Sequence, residues 1–237
     1  MNISAGNLGY RELNNRIRVQ GGTIRIPDCL GQRFIGSGMN DINLTINGTP
    51  GNALGSYLNG GVIHVNGNTQ DAVGDTMNDG RIIIHGSAGD ALGYAMRGGA
   101  IFVRDNTGYR AGVHMKEYKD KKPVIIIGGA AGSFLGEYLA GGLIIVLGIN
   151  SLNELPIGNF TGTGMHGGRI YIRTNRELTD LPAEVDVKPA DDLSEILPFI
   201  TEFAEIFDIN ANQIMSDKFY VLSPNAKNPY HQLYTAN

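Results

Sequence analysis

The stretch GNALGSYLNGGVIHVNGN, Gly51–Asn68, sets glycines around a short run rich in β-branched residues, VIHV. Taken alone it looks like a phosphate-cradling loop. That device needs a strand leading into glycines and then a helix N-terminus. Here the glycines lead into the strand, and no helical pattern follows. The rest of the chain shows that the stretch is one copy of a repeat. Equivalents of Gly55 stand at Gly36, Gly74, Gly93 and Gly112, each 19 residues from the last. Two more follow at Gly136 and Gly162, after spacings of 24 and 26. These read as the same unit carrying insertions, KEYKDKKP (Lys116–Pro123) and INSLNELP (Ile149–Pro156).

The columns around this index glycine are coherent. Three residues after it stand Met39, Leu58, Met77, Met96, Met115, Leu139 and Met165. Eight and ten residues after it come Leu44/Ile46, Ile63/Val65, Ile82/Ile84, Ile101/Val103, Ile144/Val146 and Ile170/Ile172. Shifting by the first insertion brings Ile125/Ile127 into the same columns. Such i, i+2 alternation of β-branched residues describes a strand with one face buried. A partial copy begins at Gly21-Gly22 with the strand TIRI.

One strand per 19 residues is too short a unit for a βαβ crossover and too strand-poor for a propeller blade. It fits a β-solenoid whose equivalent residues stack about 4.8 Å apart. The expected fold is all-β: a right-handed, single-stranded parallel β-helix of about seven to eight coils over residues 1–174. Glycines are expected at corners, where φ is positive or the backbone passes too close for a side chain. Residues 175–237 form a second region. RELTDLPAEVDVKPADD reads as a connector wrapping the end of the solenoid. In DDLSEILPFITEFAEIFDIN, Ile196, Ile200, Phe203 and Phe207 have helical spacing, with Asp191 or Asp192 as N-cap and Pro198 starting or kinking the helix. That helix is expected to cap the last coil. The finish, FYVLSPNAKNPYHQLYTAN, reads as a return strand or an interface tail.

Composition narrows the function classes. The 34 glycines are about twice the usual share, but no Gly-x-y period makes them collagen. No apolar run reaches the ~18 residues of a membrane span, and the start has no signal-peptide core. A net charge of −4 without basic runs argues against nucleic acid. Cys29 is alone, which suits a reducing cytoplasm.

The chemical candidates are thin. Asn52, Asp71 and Asp90 share a column and could hold a cation or form a repelling carboxylate pair, but no GGxGxDxx repeat accompanies them, and a solvated turn is the simpler account. His64 and His85 lie on adjacent coils, two columns apart, and His114 and His166 in corners, without metal-ligand spacing. Arg81, Arg97, Arg104, Arg110, Arg169 and Arg173 are spread over several columns. Cys29 has no base nearby in sequence. The outward strand column, Thr45, His64, Ile83, Phe102, Ile145 and Tyr171, is an apolar strip rather than a catalytic line, and is expected to be a contact surface. Catalytic, cofactor-binding and metal-ligating residues are therefore all expected to be none.

AGVHMKEYKDKKPVIIIGGAAGSFLGEYLAGGLIIVLGIN and GNFTGTGMHGGRIYIR resemble the Gly-rich β-helix domain at the C-terminus of the glutamate synthase large subunit. The likeness is to its stand-alone form and covers about Gly21 to Arg173, with NPYHQLYTAN similar to that form's tail. The β-helix subunit of formylmethanofuran dehydrogenase shares the same GxxxGxxMxGGxIxVxG repeat. The resemblance implies a non-catalytic, cytoplasmic scaffold in a complex that makes two glutamates from glutamine, 2-oxoglutarate and reductant. Its partners would be a glutaminase and an FMN-binding synthase subunit, with FMN and the iron–sulfur cluster carried by partners. This chain, beginning MNIS and holding one cysteine, supplies neither the N-terminal Cys nucleophile nor a cluster, and binds no cofactor of its own. A homo-oligomer is compatible with it. The rivals are the β-helix role in formylmethanofuran dehydrogenase and an independent carbohydrate-active β-helix enzyme or binding module.

Overall fold

The computed structural model of the protein describes residues 1–149 and 151–225. One strand from each coil enters a single sheet: β1 (Thr23–Leu30), β2 (Ile42–Thr49), β3 (Asn59–Asn66), β4 (Asp79–Ile84), β5 (Ala100–Val103), β6 (Val124–Ile127), β7 (Ala140–Val146) and β8 (Gly167–Arg173). All eight run parallel and pair in sequence order. The register follows the sequence columns. Leu44 pairs with Ile63, and Ile82, Ile101, Ile125, Ile144 and Ile170 follow rung by rung. The result is a β-solenoid of about seven turns. A second, shorter parallel ladder runs through Ala88, Thr107, Ala131 and Ile157.

Opposite the sheet, each coil turns on three left-handed residues in alternation. In one coil these are Ala91, Gly93 and Ala95, at φ 57°, 64° and 52°. The Gly93 N–H donates back to Val73 O at 2.7 Å, whereas Ala91 and Ala95 donate forward to Tyr109 O and Val113 O, each at 2.8 Å. Two alanines here accept the ~1–2 kcal/mol cost of the left-handed region, so conformation alone does not select glycine at the centre. Proximity does. A Cβ on Gly93 would lie 2.5 Å from Cδ1 of Ile125 in the next coil, and one on Gly136 would lie 2.7 Å from Cδ1 of Ile170. Of the two reasons expected for corner glycines, close approach decides at the index position.

The acidic column has a structural use that sequence reasoning missed. Asn52 Oδ1 accepts from the Asp71 N–H at 3.3 Å, Asp71 Oδ1 from the Asp90 N–H at 3.0 Å, and Asp90 Oδ1 from the Tyr109 N–H at 2.8 Å. Each short side chain thus satisfies a backbone donor one coil along. Gly89 and Gly108 make room, since a Cβ at either would collide with the accepting carboxylate. Asn68, Ser87 and Asn106 form a second column of the same kind, accepting from Ser87, Asn106 and Ala130. Replacing Asp90 by Ala should cost about 1 kcal/mol, and Asp90→Asn, which keeps the acceptor, should recover most of it. Urea midpoints would show this; equal losses in both variants would mean that charge, not the accepted hydrogen bond, matters.

Both ends of the solenoid are covered. Helix α1 (Tyr10–Gln20), not anticipated from the sequence, buries Leu13 and Ile17 with Ile3 and Ala5 against the first coil. Leu13 and Ile17, four apart in a mostly polar segment whose Val19 is exposed, were the only signal. At the far end the connector supplies one strand. Its strand β9 (Val185–Pro189) pairs with β10 (Phe219–Pro224), which lies antiparallel to β8. Val185 and Leu222 close the solenoid core.

Helix α2 (Leu197–Phe207) is not that cap. Ile196, Ile200 and Phe203, with α3 (Ala211–Met215) and Phe219, bury the outward strip of Ile83, Phe102, Ile126, Ile145 and Tyr171 in a second core. The strip expected to be an exposed contact surface is therefore internal: Phe102 and Ile145 are fully buried. Neither Asp191 nor Asp192 is the N-cap. Ile196 takes that position, Pro198 falls in the first turn, and Asp192 accepts from the Ser194 N–H instead. β10 realises the packed return strand; the tail NPYHQLYTAN lies outside the described residues.

Candidate functional site

With the sheet's outer face covered, exposed aromatic side chains collect on the turn face. Phe34, Tyr57, Tyr94, Tyr109, Tyr138 and Phe160 stand within three residues of an index glycine, and each is at least one-third exposed. Phe34, Tyr57, Tyr138 and Phe160 are themselves left-handed, and Tyr94 and Tyr109 flank left-handed residues, so the tight turns carry these side chains outward, while Met96 and its equivalents point in. Several stack along the solenoid: Phe134 on Phe160 at 5.0 Å, and His114 on Tyr138 at 5.1 Å with planes 7° apart. Arg110 lies over the Phe134 ring.

Beside these rings, Arg97, Lys116, Ala140 and His166 occupy one column on successive coils. Each donates its backbone N–H to the carbonyl of the buried Met/Leu column one coil back: Met77, Met96, Met115 and Leu139. Together with Tyr94, His114 and Tyr138 they line a cleft of about 390 Å³. The sequence placed His114 and His166 in corners and Arg97 among scattered arginines but did not align them, because Lys116 was counted with the insertion.

The remaining candidates are structural. His64 and His85 stack at 6.5 Å, and His85 packs edge-on to Phe207. Burial holds both imidazoles below their ordinary pKa, and for His85 the His64 and Arg104 charges add to this. Among the described residues, no three His, Cys, Asp or Glu side chains gather into a metal-holding group. Cys29 is buried at 3% exposure, and desolvation lifts its thiol to about 11, which leaves it protonated and inert at neutral pH. No helix among the described residues is long and apolar enough to cross a membrane.

The whole described solenoid, with both its caps, is one family unit: the family model described as the GXGXG motif matches residues 9–225. The chain belongs to the GXGXG family. This is the glutamate synthase-type Gly-rich domain. An uncharacterized protein of Methanocaldococcus jannaschii is 44% identical over 250 aligned positions, which cover 98% of this chain and 95% of that relative.

Both insertions of this GXGXG chain are tied down. Lys121 pairs with Asp79 at 2.6 Å, and Lys122 with Glu195 at 3.0 Å. The first insertion is solvent-facing, with Glu117 to Lys122 all exposed, and these two ion pairs hold it down at the surface. In the second, the Leu152 and Glu154 carbonyls accept from the Thr174 hydroxyl. Of the arginines, Arg81 pairs with Glu202 on α2, Arg104 with Asp105, and Arg110 with Glu137. Arg173, 4% exposed, is held by Asp217 and by Leu147 O.

Glu195 is the hub of a latch in front of α2. Its carboxylate accepts from Arg169 at 2.6 Å and from the Tyr171 hydroxyl at 2.8 Å, besides Lys122. Burial alone would raise its pKa. Arg169, Lys122 and Tyr171 outweigh burial and hold it down to about 2, against an ordinary 4.5. Burial, with the Glu195 hydrogen bond and charge adding to it and Arg169 opposing, pushes Tyr171 up to about 12. A depressed carboxylate stabilises the fold above its unfolded pKa, and that stability is lost as pH falls. The latch should therefore contribute ~2 kcal/mol at pH 6, allowing for screening of the exposed cations, and fade between pH 4.5 and about 2. Glu195→Gln should flatten the stability-versus-pH curve in that window; an unchanged slope would assign acid sensitivity elsewhere.

Proposed function

We propose that this chain is a non-catalytic scaffold subunit of a glutamate synthase-type complex, bracing a glutaminase and an FMN-binding synthase subunit in the cytoplasm. The supporting observation is the match of the GXGXG family over residues 9–225, which spans nearly all of the described residues. FMN and an iron–sulfur cluster belong to the partners in this reading. The turn face is the docking face, since the outward strip is occupied by α2, and exposed tyrosines are typical anchors of protein interfaces.

Affinity capture of the chain from its native host tests this. Recovery of a glutaminase and a flavin-binding synthase supports the scaffold role. Recovery of a molybdenum or tungsten pterin enzyme would replace it with the β-helix role in formylmethanofuran dehydrogenase. Turnover of a carbohydrate by the purified chain alone would make it an independent enzyme. Tyr57→Ser and Tyr94→Ser together should lower co-purification of the glutamate synthase partners about tenfold without changing the melting temperature.

A further inference from the structure

Three Lys or Arg side chains among the described residues are not exposed: Arg97, Lys116 and Arg173. Arg173 has its carboxylate, Asp217. Among the described residues Arg97 and Lys116 have none, and no acidic side chain there lines the 390 Å³ cleft they share. Their equivalent positions on adjacent coils set their backbones about 4.8 Å apart. Two like charges this close, half-withdrawn from water, repel each other. The nearby acids are engaged elsewhere: Glu117 accepts from the Gly142 N–H, Glu137 pairs with Arg110, and Asp79 with Lys121. Farther along the column, Ala140 leaves a gap between Lys116 and His166, and His114, Tyr94 and Tyr138 wall one side.

We propose that this cleft binds a small oxyanion, a phosphate or a carboxylate group, between Arg97 and Lys116. Arginine offers a flat fork of donors and lysine a point charge, the pair that oxyanion sites combine. The gap over Ala140 admits the remainder of a ligand, and the volume falls within the range of small-molecule sites. The inference is independent of which complex the chain serves.

Calorimetric titration of the full chain with inorganic phosphate and, separately, with succinate tests it, with chloride at matched ionic strength as control. Saturable binding with a Kd on the order of 1 mM is expected for at least one probe. Phosphate alone, or succinate alone, identifies the oxyanion type; both together indicate a site for either. Arg97→Gln and Lys116→Gln should each weaken binding about tenfold. Arg104→Gln, paired with Asp105 away from the cleft, should leave it unchanged. In the unmodified chain, the bound probe should also slow acylation of the Lys116 amine, read by mass spectrometry, which holds even if a variant fails to fold. No saturable heat with either probe, binding that survives the folded double variant, or no protection of Lys116 would each overturn the site.

Discussion

Gly93→Ala should destabilise the protein by about 3 kcal/mol, seen as a large fall in melting temperature. The added Cβ would stand 2.5 Å from Cδ1 of Ile125 in a core where neither partner is exposed. Overpacking of this kind costs ~1–3 kcal/mol, and the left-handed backbone at φ 64° adds ~1 more. Ile125→Val removes that Cδ1 at a cost of ~1 kcal/mol by itself. The double variant should therefore be more stable than additivity predicts by at least ~1 kcal/mol. Ala91→Gly, two residues away and equally left-handed, should stay within about 1 kcal/mol of the unmodified chain. Additive losses for Gly93→Ala and Ile125→Val would refute the contact and leave backbone conformation as the only reason for glycine.

Phe203→Ala should cost ~3–5 kcal/mol and lift α2 from the sheet. Phe203 is fully buried, stacks edge-on to Phe207 at 4.7 Å, and presses on a glycine: a Cβ at Gly128 would sit 2.9 Å from its Cζ. Losing that anchor should open the strip of Phe102, Ile126 and Ile145, so a hydrophobic dye should bind and the chain should self-associate. Hydrogen exchange should quicken in α2 and α3 while β2 and β3 stay protected. Faster exchange confined to the last coil, without dye binding, would restore the end-cap role expected from the sequence.

The period carried most of the solenoid in view. Columns such as Met39 to Met165 and Leu44 to Ile170 are defined by side chains repeating in one environment, and the ladder pairs the strand columns rung by rung. The position of α2 was less legible because an apolar residue on an outward column suits either a partner or the chain's own helix. Two local signals pointed to the helix. VIII and LIIV are continuous apolar runs, which in parallel sheets mean both faces are covered. The outward column also changes from Thr45 and His64 to Ile83 and Phe102 where cover begins. Helix α1 stayed hidden because only two of its eleven residues, Leu13 and Ile17, face the core, and Val19 beside them is exposed, which makes almost no pattern. The oxyanion cleft stayed hidden because its residues, Arg97, Lys116 and His166, differ in type and Lys116 was counted with the insertion, although each stands four residues after an index glycine.

The packing of each index glycine against an isoleucine from the following turn bears on synthesis. Gly55 is roofed by Ile82, Gly74 by Ile101 and Gly93 by Ile125, always a residue that leaves the ribosome later. A nascent turn therefore holds an open floor until more than one further period has emerged. Only α1, closing the first turn from the N-terminal side, is complete from the start. Growth should then proceed as a moving front from α1 toward the C-terminus, with one unfinished rung at its leading edge, until β9 and β10 end it.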